Sequence, residues 1–355
     1  MKRFAWLVLV AFLLTTGFTS QESPEGPFPV RGIHFMVPQP DSVPAFVDFI
    51  KGPLRSSGVN TLILELNYSY RYESHPELAS ENALSQKQLQ DIVAACRDSG
   101  INFIPMINLM GHQSWAETTF ALLSKYPEFD ETPGKYPNNK DIYCRSYCPQ
   151  HPGLHKILFA LIDELISVTD ATDFHAGMDE VFLIGEDDCP RCRGQNRAQL
   201  LADEIKRIHA HLAEKKVRMW LWGDRLIDGE TTGIGEWEAS TNDTFAAIDM
   251  IPTDIVICDW HYEYSPPTAG MFALKGFPVV MSPWRKSDVA LAHLEQMKHL
   301  RSASNKTLAD RALGLVHTTW TSPENFMAAY SGDPSARESA TESAECFKKL
   351  FKKLQ

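Results

Sequence analysis

The chain has 355 residues and a net charge of -11 at neutral pH, from 34 Lys and Arg against 45 Asp and Glu. That balance leaves no face basic enough to neutralise a phosphate backbone, which argues against nucleic acid as a partner. An apolar share of 44% suits a sizeable core, and the length suits one α/β barrel of about 250 residues with insertions, or two ordinary domains.

Residues 1–20 stand apart. Lys2 and Arg3 precede an apolar run from Phe4 to Leu14, and small and polar residues follow to Ser20. This is the layout of a secretory signal peptide, and its apolar run falls short of the about 20 residues that cross a bilayer. Export to the periplasm or the medium is therefore expected. A Pro-rich lead occupies 21–29, and no later stretch reads as a membrane span.

From there strands and helices alternate. A first strand is predicted at 30–36, then a helix that starts at Asp41 or Ser42 and runs to about 57. A second strand follows at 61–66, a helix at 85–99 closed by Gly100, and a third strand at 101–107. Residues 108–152 are rich in Tyr, Pro and Asn and read as a long loop above the third strand, the kind of loop that usually carries function. Leu154, Ile157, Leu158, Leu161, Ile162 and Leu165 recur at helical spacing through 153–169. The fourth strand, 173–178, runs straight into Asp179 and Glu180. A cysteine-bearing loop and a helix at 196–215 lead to strands at 217–222, 254–260 and 276–281. A helix near 288–300 precedes the eighth strand, 312–320. Eight strands separated by helices predict a single (β/α)8 TIM barrel over 30–335. A C-terminal helix, 336–355, is expected to pack on it and close its underside.

In such a barrel the C-terminal strand ends carry the active site. Asp179 and Glu180 fall there. So do Tyr68 and Tyr70, His112 with Trp115, Trp222 with Asp224, Trp260 with Tyr262, Trp284, and Trp320. Flat aromatic rings beside a few polar groups suit a sugar, whose ring faces are apolar and whose hydroxyls need partners. Of the seven cysteines, Cys96, Cys258 and Cys346 read as buried thiols. Cys144, Cys148, Cys189 and Cys192 are clustered. They fit disulfides, which an oxidising compartment favours, or loose thiols, and after these a four-thiolate zinc site.

The stretch Phe174-His175-Ala176-Gly177-Met178-Asp179-Glu180 resembles the acid-pair signature of glycoside hydrolase family 20, the β-N-acetylhexosaminidases. Ile104-Pro105 through Gly111-His112 resembles the family's third-strand motif. Trp222-Gly223-Asp224, Asp259-Trp260 and Thr319-Trp320 stand where that family places pocket tryptophans. The resemblance covers roughly 31–320. It implies a retaining glycosidase in which the substrate's own acetamido oxygen is the nucleophile. Glu180 would be the acid and Asp179 the group that orients the acetamido. His112, His175, Trp222, Asp224, Trp260, Tyr262, Trp284 and Trp320 would contact the sugar or hold the pair, with an oligosaccharide or glycoconjugate as substrate and no cofactor. The sequence departs from the family pattern at Gln39, Tyr68 and Ser322, and the family's usual accessory domain is not expected ahead of the barrel. Those departures leave open a carbohydrate-binding barrel without turnover. A metal-dependent hydrolase built on His34, His112, His175 and Asp179 is a third reading, although the first strand carries no His-x-His and the chain no HExxH.

Overall fold

Eight parallel strands close into a barrel in the computed structural model of the protein, which describes residues 28–355. The expected signal peptide and most of the Pro-rich lead lie outside the described residues. The strands are β1 (Val30–Met36), β2 (Thr61–Glu65), β3 (Asn102–Leu109), β4 (Asp173–Gly177), β5 (Arg218–Trp222), β6 (Val256–Asp259), β7 (Val279–Met281) and β8 (Ala312–Thr318). Each pairs with its neighbours in chain order. The ring shuts where β8 returns to β1, with Val30 opposite Gly314 and His34 opposite Thr318. Gly314 has φ +139, and a Cβ there would collide with the Val30 carbonyl, so the closing pair depends on this glycine.

Alternation along the strands sorts the apolar residues into two sets. Ile63, Ile104, Met106, Trp220, Trp222, Val256, Cys258, Val280 and Val316 fill the lumen. Their neighbours, such as Leu62, Leu64, Phe103 and Leu221, meet the helices outside. The longer of these helices are α1 (Val43–Phe49), α2 (Gln86–Asp98), α3 (Leu154–Thr169), α4 (Arg197–Glu214), α5 (Thr268–Lys275), α6 (Ser287–Ala303), α7 (Pro323–Ser331) and α8 (Glu338–Leu354). Ser85 and Gln88 form a capping box at the start of α2, and the Asn196 side chain caps α4. The helix expected to run to about 57 continues past α1 as a π-turn, Ile50–Leu54, around Pro53, which has no N–H to close an α-helical bond.

Two expectations change. Strand and helix do not alternate between β5 and β6. That connection holds only the short turns Asp224–Leu226, Gly229–Thr232 and Phe245–Asp249, because Gly223, Gly229, Gly233, Gly235 and Pro252 interrupt any helical run. The C-terminal helix does not cross the barrel's underside. It stands in the outer ring beside α6 and α7, with Ser343 bonded to His317 of β8, and ends near Ser56. Its buried Ala340, Ala344, Phe347, Leu350, Phe351 and Leu354 make one apolar stripe, which needs the flank of the barrel to cover it. Among the described residues no helix is long and apolar enough to cross a membrane.

Candidate active site

Where β4 ends, the chain turns through three left-handed residues: Gly177 (φ 68), Met178 (φ 67) and, after Asp179, Glu180 (φ 50). Only glycine fits at 177, since a Cβ would run into Asn108 of β3. Successive side chains of an extended strand point to opposite faces. The left-handed turn cancels that alternation and brings both carboxylates to one partner, His112, which itself has φ 52. Asn67, Met110 and Trp320, at the ends of β2, β3 and β8, are also left-handed. Such conformations cost about 1–3 kcal/mol each and persist where the surroundings over-determine them, as at working sites.

His112 Nε2 lies 3.2 Å from Asp179 Oδ2 and 3.0 Å from Glu180 Oε2. Burial works against a charged imidazole here, but the Asp179 carboxylate and the hydrogen bonds to Asp179 and Glu180 outweigh it and hold His112 well above the usual histidine range. Burial likewise works against the Asp179 carboxylate. The cationic His112, through its charge and its contact with Oδ2, prevails and keeps the pKa below the ordinary value. Asp179 is thus ionised at neutral pH, with Oδ1 buried and without a partner. Glu180 is fixed from behind. Its N–H donates to Asp224 Oδ2 at 2.9 Å, and the Cys144 thiol donates to its carbonyl at 3.3 Å.

Asp224 stands behind the acid pair rather than in the pocket. Its Oδ2 also accepts from Arg225 Nε at 2.7 Å and its Oδ1 from Trp260 Nε1 at 3.1 Å, so both oxygens are committed. His175 and Trp222 are likewise buried, with ring centroids 4.6 Å apart, and form the floor. His175 Nδ1 accepts from Gly177 N–H, which leaves the proton on Nε2. Burial beside His34 pushes its pKa down to about 3, so the ring is neutral. The side wall is aromatic. Tyr262 lies 5.0 Å from Trp260 and 5.5 Å from Trp284, and its hydroxyl accepts from Trp320 Nε1. Ser322 caps α7 through the Asn325 N–H, and the Tyr68 hydroxyl is held by Gln113.

Several residues at the mouth escaped the sequence reading. Tyr143 is 37% exposed and Trp237 49%, and their ring centroids lie 5.0 Å apart, so they form a paired aromatic patch. With Cys144 and Phe182 they line a cleft of about 250 Å³ next to the acid pair. Burial and the nearby Glu180 carboxylate raise the Tyr143 phenol. Arg225 ties this rim down: its Nη2 donates to the carbonyls of Glu236, Trp237 and Ala239, and its guanidinium lies over Phe182. The available signal was an aromatic residue in each loop after a strand end, and an Arg directly after Asp224.

The long loop between β3 and α3 is folded around Arg145. This wholly buried cation pairs with Asp130 at 2.6 Å and donates to Asn139 Oδ1 and to the carbonyls of Lys135 and Asn138. Arg145→Ala is expected to destabilise the protein by about 3–5 kcal/mol, because Asp130 is left buried and unpaired. Urea unfolding reads the loss, and a change below 1 kcal/mol would mean the loop holds without the pair.

The clustered cysteines do not converge as four. The Cys148, Cys189 and Cys192 sulfurs come together with the Glu131 carboxylate, whereas Cys144 has turned to Glu180. Cys148 Sγ is 3.4 Å from each of the other two sulfurs, outside bonding distance, so the expected disulfides are not formed. Among the described residues, the other donors close enough to share an ion are His112, Asp179 and Glu180. His34 and His175 belong to neither group, so the four residues of the metal-hydrolase reading do not meet.

The family model described as glycosyl hydrolase family 20, catalytic domain, matches residues 62–343. The chain is 29% identical over 150 residues to a beta-hexosaminidase of Akkermansia muciniphila, covering 41% of this chain and 29% of that protein. It is 26% identical over 231 residues to a beta-hexosaminidase of Vibrio furnissii, covering 62% and 32%. Among solved structures, a chitobiase of Flavobacterium johnsoniae superposes with a TM-score of 0.63 at 18% identity, over 93% of this chain and 52% of that one. An exo beta-N-acetylglucosaminidase of Vibrio harveyi, solved with N-acetylglucosamine, gives 0.60 at 16% identity, over 93% and 58%. At such identities the structural likeness speaks for the fold. The matches span about a third of the length of these two curated relatives.

Proposed function

Because this chain belongs to glycosyl hydrolase family 20, we propose that it removes β-linked N-acetylhexosamine from glycans by substrate-assisted, retaining catalysis. The observation that carries this reading is the pair of adjacent carboxylates drawn to one cationic histidine at the mouth of the barrel. Glu180 gives its proton to the glycosidic oxygen as the bond to the anomeric carbon breaks. The acetamido carbonyl oxygen of the same sugar attacks that carbon from the opposite face. Asp179, ionised and with a free buried oxygen, accepts the acetamido N–H and offsets the positive charge of the oxazolinium. Glu180 then takes a proton from the water that opens the ring, which restores the acid and the original anomeric configuration. The half-buried Tyr262, Trp284 and Trp320 offer apolar faces to the sugar.

Aryl N-acetylglucosaminides and galactosaminides are expected to be cleaved far faster than the matching plain glucoside, and a thiazoline mimic of the cyclised intermediate to inhibit. Equal cleavage of the plain glucoside, with no effect of the thiazoline, would exclude participation by the acetamido group. Binding of the aryl substrates without release of the leaving group would instead mark a carbohydrate-binding barrel.

A further inference from the structure

We propose that Glu131, Cys148, Cys189 and Cys192 form a structural zinc site that staples together the two loops flanking the acid pair. Glu131 and Cys148 come from the loop between β3 and α3, Cys189 and Cys192 from the loop between β4 and α4. All four are buried, and one donor atom from each lies within 4.8 Å of the others. The 3.4 Å separations between Cys148 Sγ and its two partners are far above the about 2.05 Å of a disulfide. They approach the roughly 3.8 Å edge of a tetrahedron of sulfurs bound at about 2.3 Å to zinc. Cys189-Pro190-Arg191-Cys192 closes a tight turn in which the Cys192 N–H donates to Cys189 Sγ, a geometry that supports a thiolate on a metal.

Glu131 supplies a second, independent sign. Its Oε1 accepts from the N–H groups of Gly185 and Glu186, which fixes the carboxyl in place, yet its buried Oε2 has no N–H or O–H donor, and the carboxyl otherwise meets only the Cys189 and Cys192 thiols. A buried carboxylate oxygen is costly to leave unpaired, and a cation among the three sulfurs would satisfy it. Three thiolates and one carboxylate suit zinc over the oxygen-seeking Mg²⁺ and Ca²⁺, and four protein ligands leave no open position, so the ion is structural. Its consequence reaches the active site. The same two loops carry Tyr143 and Cys144 on one side and Asp179 and Glu180 on the other, and metal binding contributes directly to the free energy that holds them together.

The test is metal analysis of the full chain purified without chelator. Roughly one zinc per chain is expected. It should be lost in a Cys189→Ser, Cys192→Ser double variant and kept in Cys144→Ser, whose sulfur lies outside the set. Cobalt exchanged into the unaltered protein reads the ligands without relying on any variant to fold: it should show thiolate charge-transfer absorption and the intense d–d bands of a tetrahedral site. Strong chelation should lower the melting temperature by several degrees, and added zinc should restore it. The proposal is overturned by a metal-free protein whose mass is lower by two hydrogens, the mark of a disulfide. It is also overturned by zinc that survives the double variant or is lost in Cys144→Ser, and by cobalt that fails to bind or shows no charge-transfer band.

Discussion

Glu180→Gln is expected to lower turnover of N-acetylhexosaminides with poor leaving groups by about 10²–10⁴-fold, the range that general acid catalysis supplies. The amide keeps the size of the side chain but has no proton to transfer. The backbone that places it is held by Asp224 and Cys144 through main-chain atoms, which the substitution leaves untouched. Substrates with activated aryl leaving groups need little protonation, so their first step should suffer much less. Measuring kcat/KM for one substrate of each kind separates the roles: an equal loss on both, or a loss under tenfold on the poor leaving group, would remove Glu180 as the acid.

Asp179→Asn should slow both kinds of substrate alike, by an amount on the order of 10²–10³, the scale of removing one preorganised electrostatic partner from a transition state. The physical reason lies in charge rather than in proton supply. Asp179 is held ionised by His112, and in the proposed mechanism an amide could not offset the positive charge that would develop as the acetamido oxygen attacks. The substitution also removes the carboxylate whose charge keeps His112 cationic, so the histidine should titrate at lower pH in the variant. NMR titration of the His112 ring tests this directly. An unchanged His112 titration, together with a loss confined to poor leaving groups, would mean that Asp179 serves Glu180 and not the acetamido group.

The order of strands and helices along the chain, from which the barrel was expected, is a feature that local sequence controls. An apolar strand buried on both faces is legible in the run Thr61 to Leu64 because each residue meets either lumen or helix and none meets water. The helical spacing in Leu154–Thr169 is equally local. Since the C-terminal strand ends of a barrel gather at one mouth whatever the loops do, Asp179, Glu180, His112, Trp260 and Trp320 could be placed at that mouth from order along the chain alone.

Which side chain faces which partner was not legible, because it depends on backbone turns and on contacts between loops distant in sequence. His112 meets both acids only because Gly177, Met178 and Glu180 adopt left-handed conformations, which no alternation pattern announces. Asp224, His175 and Trp222 share the strand-end positions of a sugar site, but packing turned them inward, to brace Glu180 and to floor the pocket. Tyr143 and Trp237 reached the rim from loops whose course is set by the buried guanidiniums of Arg145 and Arg225. Spacing grouped Cys144 with Cys148, Cys189 and Cys192. The tertiary structure separated it and put Glu131 in its place, since the course of each loop decides which donors come within reach of one another and spacing records only those in the same turn.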